Sequence, residues 1–227
     1  MKIPLSSRLM ACAGFVNKGD RVADIGCDHG YLSIHLLTTG TARSCIASDV
    51  AEGPLQSAMR NARKFGVSGN ISFYLSDGVR NIPRDFDTLV CAGMGGDTMI
   101  HILESAPWLK NEKYRLILQC QSKRPELRKW LYDHGFAIRR ETLAKDGKFC
   151  YPVMEVVYAP GEYLSGADLY ITPALRASGS PLLSEFYDRV VGGIKTSVEG
   201  LARTGGEKYG EMKKILDELL AMKEEIR

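Results

Sequence analysis

The string Val22-Ala-Asp24-Ile-Gly26-Cys-Asp28-His29-Gly30-Tyr31 gathers acids and glycines where a short apolar strand turns into a helix. Gly26 permits a turn that other residues resist, and Gly30 permits close approach of backbone, helix and ligand. A dinucleotide site requires G-x-G-x-x-G, whose glycines bring a pyrophosphate against a helix N-terminus. Here those three places hold Gly26, Asp28 and Tyr31. A carboxylate where a pyrophosphate would lie is repulsive. It suits a cation instead, and the sulfonium and amino groups of S-adenosylmethionine supply one. A loop without a ligand is the plainer reading of the same residues.

Asp49 ends the second apolar strand, 25 residues after Asp24. A carboxylate at that tip accepts hydrogen bonds from both ribose hydroxyls. Asp77 and Gly78 follow the third strand, where a carboxylate or its backbone neighbour receives the exocyclic amine of adenine. Each acid alone reads equally well as a helix cap. Three of them on successive strand tips point to a nucleoside. The fourth strand ends in Gly93-Met94-Gly95-Gly96-Asp97. Its glycines leave backbone groups open to a ligand, or form a bare turn before a helix capped by Asp97. The Asn/Asp-Pro-Pro-aromatic string common in methyltransferases of exocyclic base amines is absent.

The elements that must hold these residues follow from periodicity. Apolar spacing predicts a helix over 5–16, then strands at 21–25, 44–49, 71–75, 88–92 and 114–119. Helices over 31–37, 54–65, 97–105 and 125–134 alternate with them, as in a parallel sheet covered on both faces. Two strands at 136–143 and 151–158 flank the hairpin signal Asp146-Gly147. The fold expected is therefore α/β: a doubly wound, methyltransferase-type sheet, parallel with an antiparallel end strand. Residues 159–180 read as a turn-rich linker. Amphipathic helices over 182–202 and 207–226, broken at Gly205-Gly206, then form a C-terminal helical hairpin. The expected division is 1–160 for the cofactor-binding domain and 161–227 for the linker and hairpin.

Together, Asp24-Ile-Gly-Cys-Asp-His-Gly-Tyr31, Ser76-Asp77-Gly78, Ala92-Gly93-Met94-Gly95-Gly96, the Leu116–Gln119 strand and the helical tail resemble the bacterial tRNA (adenine-22 N1)-methyltransferases. The resemblance covers essentially the whole chain. It implies a class I S-adenosylmethionine-dependent methyltransferase domain, a coiled-coil-like C-terminal domain, and methylation of adenine N1 in the tRNA D-arm. Gln119-Cys120-Gln121 and Cys150-Tyr151-Pro152 depart from the family pattern on the presumed target-base side. The residues expected to hold the cofactor are Asp24, Gly26, Asp28, His29, Gly30, Asp49, Val50, Asp77, Gly78, Gly93 and Met94. Those expected around the reacting base are Gly93, Met94, Gly95, Gln119 and Tyr151. Tyr151 reads as a stacking surface or as an ordinary strand aromatic. His35, His101 and His134 read as surface or helix-end histidines. A methyltransferase of another RNA or a small molecule, and an inert nucleic-acid-binding protein of this fold, are the competing readings.

Composition bounds these expectations. The 227 residues are 44% hydrophobic and 25% charged, which excludes a disordered or fibrous chain. No apolar run approaches the roughly 18–20 residues that span a bilayer, so a cytoplasmic protein with no membrane association is expected, monomeric or weakly dimeric. Six cysteines without a Cys-x-x-Cys pair read as reduced, buried thiols, with no metal site. Net charge is only +3, but residues 110–148 hold eleven lysines and arginines against five acids. That excess suits a polyanionic partner such as tRNA, or a solvated surface. Lys123, Arg124, Arg128 and Lys129, after the fifth strand, are the cations expected to touch RNA.

Overall fold

The computed structural model describes residues 3–203 and 205–226. Among these, seven strands form one sheet in the order β3-β2-β1-β4-β5-β7-β6, where β1 is Asp20–Ile25, β2 Ala42–Asp49, β3 Ile71–Leu75, β4 Thr88–Met94, β5 Arg115–Cys120, β6 Phe136–Asp146 and β7 Phe149–Tyr158. The first five are parallel. β7 runs antiparallel between β5 and β6, joined to β6 by a tight turn at Gly147-Lys148. The strand order reverses at β1, which pairs with both β2 and β4. Doubly wound sheets bind ligands beyond the carboxyl ends of strands at such a switch point.

The central strands carry near-continuous apolar runs because both faces are covered. Val22, Val90 and Ile117 point to one layer, with α1 (Ser7–Ala13), α2 (Tyr31–Thr38) and α3 (Glu52–Lys64). Ala23, Leu89, Cys91, Leu116 and Leu118 point to the other, with α4 (Gly96–Glu104) and α5 (Arg124–Asp133). All six cysteines are free and buried. Burial pushes the Cys12 and Cys45 thiols up to about 12, so they serve as small apolar groups.

The segment expected as a turn-rich linker is instead ordered into a 3₁₀ turn at Gly166–Leu169 and a short α6 at Pro173–Arg176. Its Ala167, Ile171 and Leu175 are buried in a third apolar cluster with α7 (Leu183–Leu201) and α8 (Glu207–Ala221). Leu143 of β6 and Cys150 of β7 join that cluster, so the hairpin sits on the sheet edge. Tyr187 near the start of α7 donates its hydroxyl to the Leu219 carbonyl near the end of α8 at 2.8 Å, which makes the pair antiparallel. Past α8 the chain tightens into a 3₁₀ turn over Met222–Ile226. Among the described residues no helix is long and apolar enough to cross a membrane.

Candidate functional site

The tips of β1 and β2 are tied to one another through backbone groups and the Asp49 side chain. The N–H groups of Gly26 and Cys27 both donate to the Ser48 carbonyl at 2.9 Å. Asp28, held at φ 51°, donates its N–H to Asp49 Oδ2 at 3.1 Å. Ala51 N–H donates to Asp49 Oδ1 at 2.9 Å. A carboxylate offers about four acceptor positions, so Asp49 keeps capacity for two more donors, such as a vicinal diol. Gly30, at φ 71°, begins α2 and lies so close to Ala58 of α3 that no Cβ fits. Glycine is required there by conformation and space together.

Two cavities flank Gly26. One, of about 320 Å³, is lined by Asp24, Asp28, His29, Tyr31, Gly93 and Arg8 of α1, among others. The second, of about 240 Å³, is lined by Asp49, Val50, Ser76, Asp77, Gly78 and, from α4, Thr98 and His101. Gly26 and Met94 line both. A Cβ on Gly26 would overlap the Met94 methyl, so Met94 packs directly on residue 26 only because that residue lacks a side chain. Val50, 71% exposed, stands at the rim of the second cavity, where an apolar side chain can cover a flat ring.

The electrostatics of the cleft are acidic. Asp24 is buried at the end of β1, accepts a 2.8 Å bond from Ser33 Oγ, and is pushed up to about 6 by burial. Asp28 lies 3.7 Å from His29 Nε2. Asp77 pairs with Arg80 at 3.0 Å, and Arg80 also reaches His101 Nε2 at 3.3 Å. Carboxylates around two neighbouring cavities suit a ligand with one cationic end and a diol between its ends.

Gln119 and Tyr151 line neither cavity. Gln119 is buried beneath the fourth strand tip, and its Oε1 accepts from Gly93 N–H at 3.0 Å and from Arg8 Nη1 at 2.9 Å. Both bonds come from donors, so the amide orientation is settled and Nε2 is left buried without a partner. Arg8 also donates to Asp146 at 2.8 Å and stacks over the Tyr151 ring at 5.2 Å. Gly95 begins α4 beside Ser122. Arg8 was not visible as a site residue in the sequence, because α1 carries no motif and lies far along the chain from Gln119. His101 was read as a surface histidine, yet it lines the second cavity. It lies one helical turn after Asp97, and that spacing was the available signal.

The four cations expected to touch RNA divide. Arg128 is buried: its guanidinium donates to Glu141, to Leu169 O at 2.9 Å and to Tyr170 O at 2.8 Å. It is a structural tie rather than a solvated surface cation. Lys123 pairs with Asp97 at 2.5 Å and Lys129 with Asp133 at 2.8 Å, both exposed. Arg124 packs over the Phe186 ring at 5.3 Å.

A doubly wound sheet ending in a β7–β6 antiparallel edge, with acids on the first three strand tips, defines the class I methyltransferase fold. Residues 5–154 match the family model described as a methyltransferase domain. The Bacillus subtilis tRNA (adenine(22)-N(1))-methyltransferase is 35% identical over 154 residues, covering 67% of this chain and 65% of that protein. Among solved structures, a candidate tRNA (m1A22) methyltransferase of Streptococcus pneumoniae, in complex with S-adenosyl-L-methionine, is 31% identical with TM-score 0.77. It covers 98% of this chain and 100% of the other. The Bacillus subtilis m1A22 tRNA methyltransferase structure is 28% identical with TM-score 0.84, covering each chain in full. The chain belongs to the methyltransferase family, within its branch of tRNA (adenine-22 N1)-methyltransferases. In sequence it matches just under two thirds of the length of the curated Bacillus subtilis relative.

Proposed function

We propose that this protein transfers a methyl group from S-adenosylmethionine to N1 of adenine 22 in the D-arm of tRNA. The observation that carries the reading is the pair of acid-lined cavities that share Gly26 and Met94, in a chain of this family. When bound, S-adenosylmethionine would supply the methyl from its sulfonium: N1 would gain the methyl carbon as the carbon–sulfur bond breaks, with S-adenosylhomocysteine as the leaving group. The residues fit that cofactor: Asp49 has acceptor capacity for the ribose, Asp77 or the Gly78 backbone faces the adenine end, and Asp24 and Asp28 face the cationic end. N1 carries its own lone pair, so the protein needs no strong base. Its task is to align the nitrogen in line with the methyl and exclude water. N1 lies on the Watson–Crick edge, so a paired adenine must first be exposed. Gly93 and Met94 line the cleft where that edge would enter, with Gly95 following them in the chain, Gln119 holding Gly93 and Tyr151 flanking through Arg8. We assign methyl transfer to residues 1–160 and RNA holding to residues 161–227, acting in the cytoplasm where tRNA is used.

Methylation of tRNA transcripts, mapped by mass, tests the reading. Methyl should appear on a transcript with adenine 22 and vanish when guanine replaces it; methyl on the guanine-22 transcript would refute the site. Asp49→Ala should weaken cofactor binding by about 1.5–3 kcal/mol, the range for hydrogen bonds to a charged group. Calorimetric titration reads it, and unchanged affinity would remove Asp49 from the ribose.

A further inference from the structure

A third cavity, of about 350 Å³, lies between the N-terminus of α5 and one face of α7. Lys123, Arg124, Arg128 and Arg189 line it, and among the described residues no carboxylate does. Three of these cations have acids nearby: Lys123 has Asp97, Arg128 has Glu141, and Arg189 lies 3.5 Å from Glu185. For Arg124, no acid or carbonyl among the described residues accepts a bond from its guanidinium. Burial and the neighbouring Arg128 hold it below the usual arginine range.

Two further features point to an anionic ligand. Arg128 is 1% exposed, and its Nε is buried with no partner. An orphan N–H on a buried cation costs free energy until an acceptor reaches it. The ten-residue α5 begins at the cavity with no side-chain cap, and the acid of its first turn, Glu126, does not line the cavity. The opposite wall is apolar, formed by Phe186, Val190 and Ile194 of α7. Flat guanidinium forks beside an aromatic and aliphatic wall match one nucleotide, phosphate on the forks and nucleoside on the wall.

The groove is joined to the cleft. Gly96 N–H donates to Ser122 O at 2.9 Å, and Gly96 packs against the Lys123 carbonyl too closely for a Cβ. The glycine tip of β4 and the start of α5 are therefore in direct contact.

We propose that this groove seats a phosphodiester of the RNA strand that carries the target base, gripped by Arg124 and Arg189, with the neighbouring nucleoside against Val190. The inference rests on the tRNA-methyltransferase reading and adds a positioning site between the sheet and the hairpin.

The test compares Arg124→Gln, Arg189→Gln and the double variant with Lys18→Gln, a control in the turn before β1 at the opposite end of the sheet. Methylation kinetics on tRNA, direct tRNA binding by fluorescence anisotropy, and cofactor affinity by calorimetry are measured across a salt series. Each groove variant should raise the KM for tRNA roughly tenfold, with kcat and cofactor affinity within about twofold. Each should also flatten log affinity against log salt by about 0.7–0.9. Folded variants with wild-type KM and salt slope would overturn the groove while methylation itself stands. RNA binding that depends on both arginines without any methylation would sink the function reading and keep the groove. Should Arg124→Gln melt early because its guanidinium covers Phe186, the half-exposed Arg189→Gln decides alone. Calorimetric binding of inorganic phosphate that both substitutions abolish, with tRNA affinity unchanged, would mark a free-anion site and overturn the RNA assignment.

Discussion

Asp24 sits at the end of β1 with its carboxylate buried and pushed up to about 6, because desolvation outweighs the Ser33 hydrogen bonds. Near pH 7 it is an anion held where an anion is costly, which a cationic ligand relieves. On the proposed reading, the cofactor's positive end lowers the Asp24 proton affinity when it binds. Below about pH 6 binding must first expel that proton, so affinity should fall as pH falls through about 6 and level off above it. Each pH unit in that window costs up to about 1.4 kcal/mol. Calorimetry at several pH values, in buffers of different ionisation enthalpy, reads both the affinity and the released proton. Asp24→Asn should flatten the profile, and a wild-type affinity constant from pH 5 to 8 would refute the coupling.

At the scale of elements, α5 is held by a charge rather than by apolar packing alone. Arg128 reaches from α5 to Glu141 on β6 and to two carbonyls of residues 169–170, and Thr172 donates its hydroxyl to the same Glu141. This network joins helix, strand and the start of the C-terminal region in one buried knot. Removing one member leaves a buried charge and two carbonyls unpaired, which costs more than the pair itself contributes. Arg128→Met should therefore lose about 3–5 kcal/mol in urea unfolding, and Glu141→Gln added to it should recover part of the loss. A cost under about 1 kcal/mol would show that water or a shifted loop satisfies Glu141. Cofactor affinity of the folded Arg128→Met protein should be unchanged, since the network does not touch the cleft.

For the whole molecule, the hairpin is part of the folded core as well as the candidate holder of RNA. Phe186, Tyr187, Ile194 and Leu219 pack with Leu143, Cys150, Ile171 and Leu175. Deleting residues 183–227 would uncover those last four side chains, each worth roughly 1.5–3 kcal/mol when buried. The truncated protein should melt well below the full chain and bind an apolar dye. A truncation that melts with the full chain would show that residues 3–182 form their own closed core. The deletion therefore confuses stability with RNA binding, and single charge changes on α7 separate the two.

Most strands and helices were legible because their causes are local: apolar periodicity, glycine turns and a proline in a first turn act within a few residues. Asp24, Gly26, Asp49 and Asp77 were legible for the same reason, since strand tips can be counted along the chain. The ordering of residues 159–180 was missed because their glycines and prolines read as breaks, whereas Ala167, Ile171 and Leu175 are packed by α7 and α8. Arg128 was misplaced on the surface for a related reason. A cation in a basic stretch reads alike whether solvated or buried, and its partners lie 13 residues away on β6 and beyond residue 168. Arg8 reaches Gln119 across 111 residues, and no local pattern records such a pairing. The sequence by itself thus determined the elements and the acidic strand tips, which depend on neighbours along the chain. Only the tertiary structure decided which charges face water, which face a ligand and which are tied down, because those pairings exist only after the sheet has closed and brought distant segments together.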